Sequence, residues 1–110
     1  MPDFTHHIQF NGQYIAFING RNCTALPDFY DAIAKALQLP EYFGKNLDAL
    51  DEMLCDLSWI AESTVLLVIL HADELLRDAP EATGAIQDIF AHAAEELDSR
   101  GVLFSVFQQR

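Results

Sequence analysis

The sequence predicts one α/β domain in which a three-stranded parallel sheet is packed by about four helices, with a short N-terminal extension. Three short apolar runs, at residues 14–18, 65–70 and 102–107, have the length and composition of buried strands. Between them, apolar residues recur at helical spacing. Strands joined through helices pair in parallel by right-handed crossovers. The 110 residues have room for a single domain, which we assign to residues 1–110.

Turn signals bound the predicted strands. Residues 1–13 form the extension, because polar residues break the alternation from Phe4 to Phe10 and Asn11-Gly12 is a strong turn signal. The alternative interpretation of this segment is an edge strand. The run Val65–Leu70 is entirely apolar, which favours a strand that is covered on both faces.

The helices are placed by their end signals. The first begins at Thr24 or Leu26, has a proline in its first turn, where a missing N–H costs nothing, and ends before Pro40. The second begins after Asn46, a good N-cap residue, and runs to about Leu57. Further helical segments are predicted at residues 73–76 and 81–98.

The charge balance restricts the possible partners. Six Lys and Arg against 17 Asp and Glu give a formal net charge of −11. Nucleic acid is bound through Lys and Arg, so direct binding of DNA or RNA is not expected, whereas a basic protein would be attracted. Simple solubility is an equally good explanation of the charge balance taken alone.

The spacing of the cysteines and the length of the apolar stretches indicate in which cellular compartment the protein is expected. Cys23 and Cys55 lack paired CxxC spacing, so neither a disulfide nor a zinc site is predicted. No targeting segment is recognisable, and no apolar stretch reaches the roughly 18 residues that a membrane span needs. We therefore expect a cytoplasmic protein with reduced cysteines and no membrane contact.

The second predicted helix is amphipathic. At 100° per residue its apolar side chains lie within an arc of roughly 120°, and its carboxylates lie within roughly 140° on the opposite side. This pattern predicts that all four carboxylates point outward, and no Lys or Arg stands between residues 46 and 56 to neutralise them. An ordinary solvated helix face has the same pattern. The four residues, here called the acidic face, are Asp48, Asp51, Glu52 and Asp56.

The segment Leu39–Leu50 reads LPEYFGKNLDAL and resembles the LPEYYGxNLDAL signature of the barstar family, intracellular inhibitors of the secreted ribonuclease barnase. A weaker similarity of elements extends to Phe107 and includes an IFxxA stretch at Ile89–Ala93. In that family a loop and the second helix plug the nuclease active site. The resemblance implies a barstar-like fold and a stoichiometric inhibitor of a basic, extracellular-type ribonuclease.

The resemblance also implies which residues bind the partner. Tyr42, Gly44, Asn46 and Asp48 match the signature residue by residue. The predicted partner-binding residues, with the rest of the acidic face added, are Tyr42, Gly44, Asn46, Asp48, Asp51, Glu52 and Asp56.

Four positions depart from the family's pattern. Leu57 stands at an interface tryptophan position, and the nearest aromatic residue, Trp59, is displaced by two residues. Glu52 stands where the family has its dominant interface aspartate, and it projects the charge one methylene further. Asp51 replaces an interface tryptophan. His92 stands where barstar contributes an acidic residue from its last long helix.

Catalytic and metal sites are not predicted. Adjacent His6 and His7 would point to opposite faces of a strand, and Asp48 with Glu52 alone falls short of a calcium loop. No phosphate-binding loop, dinucleotide-binding glycine motif or nucleophile elbow is present. We expect no enzyme and no cofactor. The alternative function is an acidic interaction or regulatory module with a barstar-like scaffold and a non-nuclease basic partner, to which the Asp51 replacement points.

Overall fold

The computed structural model describes residues 7–110, which form a mixed four-stranded sheet and three α-helices. The strands are adjacent in chain order, with the first pair antiparallel and the two following pairs parallel. The strands are β1 (His7–Phe10), β2 (Gln13–Asn19), β3 (Thr64–Leu70) and β4 (Leu103–Gln108). The helices are α1 (Leu26–Ala36), α2 (Leu47–Asp56) and α3 (Thr83–Asp98).

The prediction of a three-stranded parallel sheet is wrong by one strand. The three predicted strands are present, with ends within one residue of those expected, but the N-terminal extension supplies β1 as a fourth. Asn11 and Gly12 have positive φ, at 58° and 81°, which is the geometry of a two-residue hairpin turn and makes β1 antiparallel to β2. Residues 1–6 of the extension, including His6, lie outside the described residues.

The prediction of about four helices is also wrong. Residues 73–76 contribute only a 3-10 turn at Ala72–Glu74. The chain leaves helical geometry there, because Leu75 is extended and Leu76 has a φ of 57°. The amide of Leu76 instead donates to the carbonyl of Cys23 at 2.8 Å, and both leucine side chains are buried.

The helices otherwise begin close to the predicted positions. α1 begins at Leu26, one of its two expected starts. α3 begins at Thr83 rather than near Glu81, because Pro80–Ala82 form a 3-10 turn. Within residues 7–110, no helix combines the length and the apolarity that crossing a membrane requires.

The core lies on one face of the sheet. Side chains at alternate positions of β2, namely Tyr14, Ala16 and Ile18, are buried in the same cluster as the inner residues of the helices. The hydroxyl of Tyr14 donates to the carbonyl of Ala36 at 2.7 Å, which joins the sheet to the end of α1. Burial raises the pKa of Tyr14 to about 12.

No helix among residues 7–110 buries the opposite face of the sheet, so the expectation that the run Val65–Leu70 is covered on both sides is wrong. Val65, Leu67 and Ile69 are buried, whereas Leu66 and Val68 remain partly exposed. Register places further apolar residues of the other strands beside these two. This surface, here called the open face, comprises Ile8, Phe10, Ile15, Phe17, Leu66, Val68, Leu103 and Phe107.

Candidate protein-binding surface

Asn46 holds the N-terminus of α2. Its backbone is extended, and its Oδ1 accepts a hydrogen bond from the amide of Ala49 at 2.8 Å, so the predicted N-cap is confirmed. Its Nδ2 donates to the carbonyl of Gly44 at 3.3 Å, which ties the preceding loop to the helix. A cap of this kind contributes about 1 kcal/mol of helix stability. Asn46 therefore positions both the loop and the first turn of α2.

The inner side and the C-terminus of α2 are also fastened. Leu50 and Leu54 are fully buried in the core. Arg100, which follows α3, donates through Nη2 to the carbonyls of Cys55 and Asp56 at the end of α2. A cation at a helix C-terminus also interacts favourably with the helix dipole. The outward side of α2 is thus presented on a rigid support.

The loop before α2 turns one aromatic ring inward and one outward. Phe43 is buried and meets Tyr30 of α1 edge-to-face, with ring centroids 6.0 Å apart and an interplanar angle of 80°. Tyr42 is 74% exposed. Lys45 Nζ lies 2.8 Å from Asp31 Oδ1, and this hydrogen bond lowers the pKa of the Asp31 carboxyl. The loop is therefore attached to α1 at two points while the Tyr42 ring stays in solvent.

Gly44 is exposed, and its backbone lies outside the left-handed region that favours glycine. A Cβ at this position would lie 3.4 Å from Asn46 Nδ2 and 3.6 Å from Ala49 Cβ, which is close to ordinary van der Waals contact. Neither backbone conformation nor crowding within the chain requires glycine here. Any such requirement would come from a molecule that approaches the loop.

Asp48 and Glu52 are the outward half of the acidic face. Both are exposed, and within residues 7–110 neither lies at ion-pair distance from a Lys or Arg. They stand one helical turn apart, where like charges mildly destabilise a helix. Asp48 lies in the first turn, where the helix dipole favours a negative charge. Two carboxylates without basic neighbours therefore project from a helix that is held in place.

Asp51 and Asp56 differ from that pair, because each has a basic neighbour, and the expectation of a carboxylate face without basic partners is wrong for these two residues. Asp51 is only 36% exposed and accepts a hydrogen bond from His92 Nδ1 at 2.8 Å. Asp56 Oδ1 lies 4.0 Å from Arg100 Nη1. The hydrogen bond to Asp51, helped by the charge of that carboxylate, raises the pKa of His92 above its usual value. α3 and the residues after it supply both partners.

Comparison with models of known protein families assigns the chain to a family. The family model described as Barstar (barnase inhibitor) matches residues 13–109, nearly the whole chain. The chain belongs to the barstar family. The resemblance carried by residues 39–50 is thereby confirmed, and the family is one of inhibitors rather than catalysts. At the family level, the partner is a ribonuclease and the activity is its inhibition.

In this barstar-family protein the packing of α2 on α3 also joins Cys55 to His92, a contact that the sequence alone does not reveal. Cys55 Sγ lies 3.5 Å from His92 Nδ1 and 3.8 Å from Asp51 Oδ1. The other ring nitrogen of His92, Nε2, lies 3.5 Å from Glu96 Oε1. Burial, with a contribution from the Asp51 carboxylate, raises the pKa of the Cys55 thiol to about 11. The only signal in the sequence is two pairs at i,i+4 spacing on different helices.

A shallow groove of about 380 Å³ separates the exposed sides of α2 and α3. Carboxylates and one imidazole line it together with three apolar side chains. Its open shape and acidic lining suit contact with a basic protein surface better than enclosure of a small molecule. The lining residues are Leu47, Asp48, Asp51, Ala85, Asp88, Ile89 and His92.

Proposed function

We propose that this barstar-family protein is a stoichiometric inhibitor, or immunity protein, of a basic ribonuclease and blocks the nuclease active site with α2 and its preceding loop. The observation that supports this best is that exposed Tyr42 in the loop stands beside exposed Asp48 and Glu52 on a helix that is fastened at both ends. Cationic side chains bind phosphate through charge-assisted hydrogen bonds, and carboxylates can take the place of that phosphate. Inhibition is therefore steric and electrostatic.

Each residue of the loop and helix has a distinct role in this proposal. Tyr42 provides an aromatic ring that is buried on binding, as aromatic anchors of interfaces commonly are. Asp48 and Glu52 pair with Arg, Lys or His side chains of the nuclease. Asn46 positions the helix, and Gly44, which lacks a side chain, lets the partner approach the backbone closely.

The charge of the whole molecule supports the encounter. A net charge of −11 attracts a basic nuclease over a distance, and Asp51 and Asp56 strengthen that field although each already has a basic neighbour. Salt shortens the range of this attraction to about 10 Å at 0.1 M ionic strength, so the association rate should fall with salt. We further propose that the protein acts in the cytoplasm on a nuclease of the extracellular type.

An inhibition titration tests the proposed surface. A panel of purified basic ribonucleases that includes barnase is assayed for RNA cleavage with increasing amounts of the protein. The unsubstituted protein should inhibit at a one-to-one ratio. The double variant Asp48→Ala, Glu52→Ala should weaken inhibition by roughly 30-fold to 4000-fold, because truncating one partner of a buried charge pair costs about 2–5 kcal/mol.

The matched control is the double variant Asp73→Asn, Glu81→Gln. It changes the net charge by the same amount at two exposed positions outside α2 and its loop. We expect it to slow association slightly and to leave the affinity nearly unchanged. Equal weakening by both double variants would show that net charge rather than this surface determines binding. Unchanged inhibition by the Asp48, Glu52 variant would show that the surface is wrongly assigned.

The second candidate function is an acidic interaction module with a non-nuclease basic partner. Asp51 favours it, because a carboxylate engaged with His92 stands where the resemblance to the family places an interface tryptophan. Capture of partners on the immobilised protein, followed by an RNA-cleavage assay, separates the two functions. A captured nuclease that the protein inhibits supports the first. A captured basic protein without nuclease activity, together with no inhibition across the panel, supports the second.

A further inference from the structure

Three side chains of different chemistry converge where α2 packs on α3. Asp51 and Cys55 lie one turn apart on α2, and His92 reaches them from α3. The ligand atoms of the three residues all lie within 4.8 Å of one another. A carboxylate oxygen, a thiol sulfur and an imidazole nitrogen thus face a common point, which is a donor set that soft and borderline metal ions prefer.

The spacing of these atoms fits tetrahedral zinc. Zinc bonds of about 2.3 Å to sulfur, 2.0–2.1 Å to nitrogen and 2.0–2.2 Å to oxygen place tetrahedral ligand atoms roughly 3.3–3.6 Å apart. Cys55 Sγ is 3.5 Å from His92 Nδ1 and 3.8 Å from Asp51 Oδ1, close to that range. Only the hydrogen-bonded pair, His92 Nδ1 and Asp51 Oδ1 at 2.8 Å, must open by about 0.5 Å.

The far side of His92 carries a second, independent feature of metal sites. Metal-binding histidines usually direct their other ring nitrogen to a carboxylate, which fixes the ring and its tautomer. Glu96, one turn further along α3, has its Oε1 3.5 Å from His92 Nε2. This arrangement leaves Nδ1 directed at Cys55 and Asp51.

We propose that Asp51, Cys55 and His92 form a Zn²⁺ site, with Glu96 supporting His92 and the fourth coordination position open to water. Thiolate and imidazole donors favour Zn²⁺ over Mg²⁺ and Ca²⁺, which take oxygen ligands. The site does not depend on the identity of any protein partner, because all three ligands come from this chain. Two of the three ligands, Asp51 and His92, line the open groove between α2 and α3, and this leaves the site accessible to ions from solvent.

Titration of the full-length, reduced protein with Zn²⁺ alone tests the site by calorimetry, and Co²⁺ serves as a spectroscopic substitute. We expect one equivalent to bind, with a near-ultraviolet band from thiolate-to-Co²⁺ charge transfer and the visible bands of tetrahedral Co²⁺. Cys55→Ser should abolish the charge-transfer band, since the remaining Cys23 is buried at 1% exposure. Cys55→Ser, His92→Gln and Asp51→Asn should each weaken Zn²⁺ binding about tenfold or more.

Glu52→Gln is the matched control, because it removes one negative charge from the same helix without removing a ligand. It should change the Zn²⁺ affinity by less than about twofold, since an exposed charge acts only through a screened field. If Glu52→Gln and Asp51→Asn weakened Zn²⁺ binding equally, the binding would be nonspecific attraction of cations, and the proposal would be overturned. Octahedral Co²⁺ spectra without a thiolate band would overturn it as well.

A measurement on the unsubstituted protein keeps the proposal testable if a variant does not fold. Zn²⁺ should shift the imidazole ¹⁵N resonances of His92 in NMR spectra at one equivalent and leave those of His71, which lies beside Arg21, unchanged. Absence of a shift at His92, or equal shifts at both histidines, would overturn the site.

Discussion

The acidic face and the open face expose opposite chemistry to solvent. On the helical side, Asp48 and Glu52 of α2 form no ion pair with a Lys or Arg of residues 7–110. The other two carboxylates of the acidic face contact residues of α3 or of the segment that follows it. On the other side, the four strands contain no Asp, Glu, Lys or Arg. Phe10, Leu103 and Phe107 of the open face are 69%, 58% and 56% exposed.

This difference shows how charge and apolar surface are divided between helices and sheet. Salt and pH act on ionic groups, so they should change the behaviour of the helical side and leave the open face unaffected. A large net charge also keeps copies of a protein apart, which counteracts association through an exposed apolar sheet. We therefore expect the charge of −11 to oppose such association, in addition to any role in attracting a partner.

The largest expected effect is on the free energy of unfolding, in a comparison of one leucine from each side of the sheet. Leu54→Ala removes a fully buried side chain beneath α2 and should lower the free energy of unfolding by about 3 kcal/mol. Leu103→Ala on the open face, at a side chain 58% exposed, should lower it by less than about 1 kcal/mol. Urea unfolding followed by circular dichroism measures both. Similar losses would contradict a core confined to one side of the sheet.

A smaller effect is expected on the proposed inhibition when two exposed aromatic residues, one on each side of the molecule, are substituted. Tyr42→Ala should weaken inhibition by roughly 30-fold, about 2 kcal/mol, because an aromatic anchor is lost. Phe107→Ala, at a ring 56% exposed on the open face, should leave inhibition unchanged. Neither change should greatly alter stability, since Tyr42 is itself 74% exposed. Loss of inhibition in the Phe107 variant alone would move the binding surface to the sheet.

The smallest expected effect is a pH dependence confined to the helical side, measured in protein kept metal-free with EDTA. The pKa of His92 is higher in the folded protein than in the unfolded chain, where it is about 6.5. The stabilisation of the fold by protonated His92 is therefore complete below the unfolded pKa and is lost as pH rises through the folded pKa. The unfolding free energy of the unsubstituted protein minus that of His92→Gln should therefore be larger near pH 6 than at higher pH. High salt should reduce this difference.

Phe107→Ala is the control for that comparison, because none of the eight described residues that define the open face has a side chain that titrates in this range. The corresponding difference for this variant should be constant with pH. A pH-independent difference for His92→Gln would contradict the contact between His92 and Asp51.

Features with a local cause were predictable from the sequence. The strand ends and the Asn46 cap depend on residues within a few positions of one another, so turn signals and side-chain chemistry identify them. The Asn11-Gly12 turn was also visible. The sequence left open whether the extension pairs as an edge strand, because such a strand needs a neighbouring strand for its hydrogen bonds, and the pairing of β1 with β2 decides it.

Features that depend on distant residues were not predictable in the same way. Asp51 and His92 are 41 positions apart, so the pattern of α2 alone made Asp51 equivalent to Asp48. Likewise, the apolar run in β3 is compatible with one or two covered faces, and only the placement of the helices distinguishes them.

The sequence by itself determined the α/β class, the acidic face and the barstar-like segment before α2, because these are properties of neighbouring residues. The tertiary structure alone decided which carboxylates acquire partners. It did so because the buried leucines of α2 pack in one core with the inner residues of α3, and that packing carries His92 to Asp51 and Cys55 and brings Arg100 to the end of α2.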